Sequence, residues 1–356
     1  MIYMMSAQPS NIENISLHPI IDLQIITTNS PIHHQQNSHY DLQEYNELFQ
    51  KFKLHMRSPT RKAFSLKFEL VHELVDFTDD ERPVDVRVST SVNCIIIITM
   101  MNRIRFVDLV TKKFIGRFDL SSLPNCLEIE KNYNGMNDAL LLSCENGMVL
   151  KYDLARLFKW SLVNENCEEC DHCKPIWCCE GFGYPFGIAI REEFAENLHA
   201  LQRRIYVCDY TGKRIDVLNA VTGERILRID ENLLGSPIDR PSGIIFNHLQ
   251  EMIVTDYENF IHVIKKNSKD EYQCSILSLP FTTKSPLGIT FDRMSNHVLV
   301  ADQFQHCIYV INENKEFVKR FGDDTLFNEP FSLCIDETTG ELYVTVYAMY
   351  KIMIYR

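Results

Sequence analysis

PFGIAI, from Pro185 to Ile190, followed by RIYVCDYTGKRIDVLN, from Arg204 to Asn219, is the phrase that decides the fold. A proline and a small or apolar turn lead into a short apolar strand; after a gap, two further apolar runs follow. The phrase returns as PSGIIF (Pro241 to Phe246) with MIVTDYENFIHVI (Met252 to Ile264), and as PLGITFD (Pro286 to Asp292) with VLVADQFQHCIYVIN (Val298 to Asn312). Self-similarity at roughly 40–60 residues marks propellers and repeat arrays.

Three weaker copies complete the set. RPVDVRV (Arg82 to Val88) precedes CIIIITM from Cys94 and IRFVDL from Ile104; PNCLEI (Pro124 to Ile129) precedes ALLLSCENGMVLKYDL from Ala139; PFSLCID (Pro330 to Asp336) precedes ELYVTV from Glu341 and KIMIYR ending at Arg356. The leading prolines stand at 83, 124, 185, 241, 286 and 330, at intervals of 41, 61, 56, 45 and 44. Each copy holds three β-branched or aromatic runs bounded by turn residues. A fourth run usually follows: KFIGRF at Lys113, ERILRI at Glu224, CSIL at Cys274 and EFVKRF at Glu316. Four antiparallel strands repeated six times make an all-β, six-bladed β-propeller.

The last copy stops after its third strand. SLKFELVHELVDF (Ser65 to Phe77) supplies the missing piece, because Leu70 precedes Pro83 by 13 residues just as Phe317 precedes Pro330. The ring is therefore expected to close through an N-terminal outer strand, which removes an exposed sheet edge. The reading divides the chain into a polar extension at 1–60 and a propeller at 64–356, with blades at 78–120, 121–180, 181–236, 237–281, 282–325 and 326–356, the last completed by 64–77. The extension is expected to be largely disordered, since polar tracts such as PIHHQQNSH (Pro31 to His39) bury too little apolar surface to offset chain entropy. Within it, YDLQEYNELFQKF (Tyr40 to Phe52) has helical apolar spacing and reads as a helix packed on the ring or offered to a partner. The cluster Lys51, Lys53, Arg57, Arg61 and Lys62 has the composition of a nuclear address.

The repeated phrase, P-x-G-[IV]-x-[FVI], then [IVL]-x-V-x-D, then [RH]-x-I-x-V, resembles the NHL-repeat family, strongly in blades three to five and weakly in the others. Asp209, Asp256 and Asp302 match the family's strand-ending acid, with Met100, Cys144 and Val346 at or near that place elsewhere. Gly187, Gly243 and Gly288 match the family glycine, where blade six has Ser332. Repetition of the acid in three successive blades predicts a local turn role, accepting hydrogen bonds from its own loop. The resemblance implies a binding platform, a protein–protein interaction scaffold. It leaves open a propeller enzyme, a lactonase or other hydrolase or lyase with an axial site, and RNA binding through a local basic face. Arg203, Arg204, Lys213, Arg214, Arg225 and Arg228 on blade three are the candidate patch.

Composition bounds the partners. The 356 residues carry 36 basic and 48 acidic side chains, a formal charge of -12, which argues against general phosphate-backbone binding. No apolar run nears the 18 residues of a membrane span, and MIYMMSAQPSN lacks the charged and apolar regions of a cleaved signal. The 12 cysteines are then read as reduced thiols, and the expected compartment is cytoplasmic, with nuclear entry through the basic cluster as the variant. A protein partner and a monomeric ring are expected.

Two features carry chemistry of their own. Asn164 to Gly183 contains Cys167, Cys170 and Cys173, spaced as zinc ligands. The second cysteine pair that completes a finger is missing; Cys178 and Cys179 fall in an expected outer strand as buried thiols. A loop insertion without cofactor is the main reading, and one zinc ion on the three cysteines or an oxidisable thiol cluster are its alternatives. His248 and His262 in blade four, and His297 and His306 in blade five, lie near strand ends and read as solvated or internally bonded side chains. No G-x-S-x-G, P-loop or H-E-x-x-H motif is present.

Overall fold

In the computed structural model the described residues are 61–78, 80–163, 174–195, 200–267 and 271–356. They form six four-stranded antiparallel sheets, five of them running in chain order from the first strand outward and the sixth completed by a strand from the N-terminal side. Blade one comprises Pro83–Ser89, Cys94–Thr99, Arg103–Asp108 and Phe114–Asp119. Blade two comprises Pro124–Glu130, Ala139–Cys144, Met148–Asp153 and Trp177–Cys179. Blade three comprises Pro185–Ala195, Ala200–Asp209, Arg214–Asn219 and Arg225–Ile229. Blade four comprises Pro241–Phe246, Met252–Asp256, Ile261–Lys266 and Tyr272–Ile276; blade five, Pro286–Asp292, His297–Asp302, Cys307–Ile311 and Phe317–Phe321. Blade six takes Pro330–Asp336, Glu341–Val346 and Lys351–Tyr355 from the C-terminus and its outer strand, Leu70–Leu74, from the N-terminal side.

That closure is the structure's most consequential pairing. Leu70, His72, Glu73 and Leu74 lie opposite Tyr355, Ile354, Met353 and Ile352, with a bulge after Leu70. The approach to the strand is anchored too: Phe64 and Phe68 are buried, and Phe68 stacks on Phe321 at 4.0 Å. The six-bladed ring and its N-terminal closure thus stand as the sequence implies.

First strands pack on first strands around the axis, each against its two neighbours. The repeated glycine explains how they come so close. A Cβ on Gly187, Gly243 or Gly288 would fall inside contact distance of the carbonyl oxygen of Ser242, Leu287 or Phe331 in the next blade. Side chains one residue before the end of the second strand add a knit between blades. Ser143 donates to the Phe186 carbonyl at 2.6 Å, Thr255 to the Leu287 carbonyl at 3.1 Å, and Thr345 to the Val84 carbonyl at 3.3 Å. Buried donors are thereby satisfied at the points of closest backbone approach.

Three details differ from the sequence reading. The residue opposite Pro83 is Thr99, so the blade-one counterpart of the strand-ending acid is Thr99 and not Met100, which sits one place further into the hairpin. The long second interval holds an α-helix, Leu154–Val163, where the sequence reading expected only an insertion. Its apolar face, Leu154, Leu157 and Phe158, packs on the core shared by blades one and two, and Phe158 meets Phe106 at 5.3 Å. Cys178 is exposed and Cys179 half-buried, because blade two's outer strand is only three residues long and leaves them at its edge.

Candidate functional site: an aromatic face across the propeller axis

Antiparallel order dictates which side chains share a face. Pro185 lies opposite Asp209, so the connection entering each first strand and the hairpin joining the second and third strands open on the same side. On this side the residues at and just beyond those turns are unusually aromatic. Tyr184 and Phe186 flank Pro185; Tyr210 and Tyr257 follow Asp209 and Asp256; Phe331 follows Pro330; Tyr347 and Tyr350 close blade six.

These rings form one connected chain. Tyr257 meets Tyr210 at 5.8 Å, Tyr210 meets Tyr184 at 5.9 Å and Phe186 at 6.4 Å, Phe186 meets Phe331 at 6.0 Å, and Phe331 stacks on Tyr347 at 5.5 Å. Phe186 belongs to blade three and Phe331 to blade six, so their contact crosses the axis. An arginine sits at each end. Arg240 lies 4.7 Å over Tyr257, and Arg82 lies 4.9 Å over both Tyr347 and Tyr350 while donating to the Tyr350 hydroxyl at 2.9 Å. Arginine over an aromatic face is held by the ring quadrupole, and Arg240 is also paired with Glu258. Around this chain Met101 and Phe304 are exposed apolar residues of the neighbouring hairpins in blades one and five. Tyr184 also donates to Glu145 at 2.9 Å, and burial raises the Tyr184 and Tyr210 hydroxyls above the ordinary phenol range. They act as neutral donors across physiological pH.

Beneath the rings lies the axial channel, a cavity of about 30 Å³ lined by the first strands of all six blades. Its polar groups are committed to one another. Asp85 accepts from the Leu127 amide at 2.8 Å, the Val86 amide at 2.7 Å and Arg87 at 2.7 Å, and Ser332 also donates to it. Arg87 reaches on to Glu128 at 3.1 Å. Against the desolvation of burial, Asp85 and Glu128 hold the Arg87 guanidinium well above its ordinary pKa.

The sequence-marked residues fall in several places. Asp209 is fully buried and accepts from the Gly212 amide of its own turn and from the Gly183 and Tyr184 amides of the incoming connection, at 3.0–3.1 Å; it also pairs with Arg214 at 2.6 Å. Asp256 accepts from the Phe260 amide at 2.8 Å and bonds His262 at 2.6 Å. Asp302 accepts from the Gln305 and Lys284 amides at 3.1 and 2.8 Å, and burial raises its pKa. None of the three contributes a side chain to the aromatic chain; each braces the turn that carries part of that face or leads into it.

The blade-three cations are engaged internally. Arg214, Arg225 and Arg228 converge on the buried Asp216 at 3.1, 3.2 and 3.5 Å. Arg203 pairs with Glu192 at 3.0 Å and Glu130 at 3.6 Å, and Lys213 with Asp239 at 2.8 Å. Arg204 stands apart from this cluster, on the second strand opposite Arg191 and Asn219. Cys167, Cys170, Cys173 and the Tyr40–Phe52 stretch lie outside the described residues. Among the described residues no group of three or more histidine, cysteine or acidic side chains is arranged to hold a metal ion, and no helix is long and apolar enough to cross a membrane.

The class defined here is the six-bladed β-propeller. Among solved structures that match, a Kuenenia stuttgartiensis hydrazine synthase superposes with a TM-score of 0.52 at 9% identity, over 77% of this chain and 83% of that one. At that identity the likeness is one of fold. No protein-family model matches the sequence, and no curated protein matches it.

Proposed function

We propose that the chain is a non-catalytic protein-binding scaffold of NHL-like type, a cytoplasmic, monomeric ring that captures a protein partner on its aromatic face. The observation that carries this reading is the unbroken run of tyrosine, phenylalanine and arginine across the axis. These residue types concentrate binding energy at protein interfaces, because they offer large, stiff, amphipathic contact area at little entropic cost. The rings are held by one another and by buried turns, so the face is organised before a partner arrives, which lowers the ordering cost of association. The NHL-like phrase supports the same reading, since each of its acids and glycines shapes the turns or the axis beneath the face.

Two observations favour this over the alternatives. The axial carboxylate Asp85 is saturated by backbone amides, Arg87 and Ser332, which suits a structural axis better than a hydrolase or lyase centre. Arg214, Arg225 and Arg228 of blade three are paired with Asp216 and Arg203 with Glu192, which leaves little unpaired positive charge in that patch for RNA. The nine described cysteines are free thiols, in keeping with a reducing compartment.

The test compares wild type with a Tyr210→Ala/Tyr257→Ala double variant in quantitative affinity capture, with melting curves to establish that both are folded. A defined set of proteins retained by wild type and lost by the variant supports the reading. Identical capture by both, or a lactonase or esterase activity abolished by Asp85→Asn, overturns it.

A further inference from the structure

Blade four holds a cluster that none of the other described blades repeats. Its second, third and outer strands place Asp256, His262 and Cys274 in a row. His262 Nε2 lies 2.6 Å from Asp256 Oδ2, and His262 Nδ1 lies 3.7 Å from Cys274 Sγ. The equivalent acid in blade three faces Arg214, and that in blade five faces backbone amides. The cross-strand register explains the row. Cys274 lies opposite Ile264, so His262, two residues away on the same side, is its diagonal neighbour.

Burial grades along the row. Asp256 and His262 are almost wholly buried, whereas Cys274 on the outer strand is partly exposed. Asp256 is anchored by the Phe260 amide at its other oxygen, so it holds the imidazole in one orientation with Nδ1 toward sulfur. An acid, an imidazole and a thiol in that order activate sulfur as a nucleophile, because the thiolate is the reactive form and a neighbouring imidazolium stabilises it.

We propose that Cys274 is a reactive thiol site that takes hydroperoxides, with His262 as its proton donor and Asp256 as the residue that positions His262. In the step, the Cys274 thiolate attacks the distal oxygen of a hydroperoxide. An S–O bond forms and the O–O bond breaks. The departing alkoxide or hydroxide takes the proton of the His262 imidazolium and leaves as alcohol or water. Sulfur is oxidised to sulfenic acid, the hydroperoxide is reduced by two electrons, and the imidazole is left neutral.

The electrostatics agree with the geometry. Burial opposes a charged His262, but the hydrogen bond it donates to Asp256, the contact with Cys274 and the attraction of both groups together outweigh it and lift the imidazole to about 9. Burial likewise opposes a charged Cys274; His262 and the Ser236 hydroxyl overcome it and bring the thiol below its ordinary value, with Asp256 the one charge pulling the other way. Cys178 supplies an internal comparison. It is the more exposed thiol, yet burial and Glu180 raise its pKa. Exposure and activation therefore rank the two cysteines in opposite orders.

The experiment treats the full chain with hydrogen peroxide at pH 7 in the presence of dimedone and follows the adduct on each cysteine peptide by mass spectrometry. Cys274 is expected to be trapped about tenfold faster than Cys178, because its thiol lies below the ordinary cysteine value and that of Cys178 above it, the gain in thiolate being partly offset by lower intrinsic nucleophilicity. His262→Gln and Asp256→Asn, each confirmed folded by melting, should bring Cys274 down toward the Cys178 rate. Equal or faster trapping at Cys178 overturns the proposal, and this comparison needs no variant. Fast trapping at Cys274 that survives both substitutions overturns the roles given to His262 and Asp256.

Discussion

Shortening the chain to begin at Thr78 removes the outer strand of blade six and with it the closure of the ring. The loss can be estimated from what the strand and its approach hold. Phe64, Phe68 and Leu74 are buried, and removing three such side chains from contact costs roughly 1.5–3 kcal/mol each. The ladder to Lys351–Tyr355 goes, together with the reciprocal Glu69–Arg356 backbone bonds at 3.0 and 2.8 Å and the Lys319 bond to the Leu66 carbonyl at 3.0 Å. At about 1 kcal/mol for each of some four to six hydrogen bonds, the sum is on the order of 10 kcal/mol. That matches the whole stability of an ordinary domain, about 5–15 kcal/mol. A chain starting at Thr78 should therefore fail to give a cooperative unfolding transition, or should give one lowered by tens of degrees, when followed by circular dichroism and urea denaturation. A chain starting at Arg61 keeps every one of these contacts and should melt as the full chain does. Phe68→Ala tests the same closure more gently, at about 3–5 kcal/mol. A Thr78 chain with the full-length melting point would refute the reasoning outright.

Other outcomes follow from individual side chains. Asp302→Ala should cost about 1–2 kcal/mol in chemical denaturation, and Asp209→Ala more, because it also removes one of the two ion pairs of Arg214 and leaves it on Asp216 alone; loss of partner capture at full stability in either variant would contradict the bracing role. Glu251 is desolvated by burial, yet Lys265, Lys315 and Asn247 bind it strongly enough to hold its carboxyl at about 2, below the ordinary glutamate value of 4.5. A depressed carboxylate stabilises above its unfolded pKa, so stability should fall as pH drops from about 4.5 toward 2, and Glu251→Gln should flatten that part of the curve measured by urea unfolding. Protein purified under reducing conditions without chelators should carry no stoichiometric zinc by elemental analysis if Cys167, Cys170 and Cys173 form only a loop insertion; about one equivalent per chain would establish the metal site instead.

The ring could be read from the chain because a propeller writes its geometry locally. A proline starts each first strand, a glycine permits the next blade's backbone to approach, and the offset of 13 residues before Pro83 and before Pro330 marks the strand that closes the circle. Met100 lies one residue beyond the strand end because blade one has threonine, Thr99, opposite Pro83 where blades three to five have the aspartate that marks the place. The helix at Leu154–Val163 is visible afterwards in the spacing of Leu154, Leu157 and Phe158, but it lies in the interval where repeat symmetry offers no guide. The aromatic face could not be seen at all. Its residues come from blades three, four and six with arginines from one and four, and only ring closure brings Phe186 beside Phe331. For the same reason Asp256, His262 and Cys274 read separately as a turn acid, an internally bonded histidine and part of an outer strand, and join only once strand register is known.

The claim that matters most is that the aromatic face is where a partner docks. A photo-crosslinking amino acid placed at Phe304, exposed on that face, and in a second protein at Leu249, exposed on the hairpin between the first and second strands of blade four at the opposite end of the ring, reads it directly in cells. The account predicts a discrete crosslinked protein from position 304 that is absent from position 249 and disappears with Tyr210→Ala/Tyr257→Ala. The same crosslinked protein from position 249 alone, or from position 304 regardless of the two tyrosines, would contradict it.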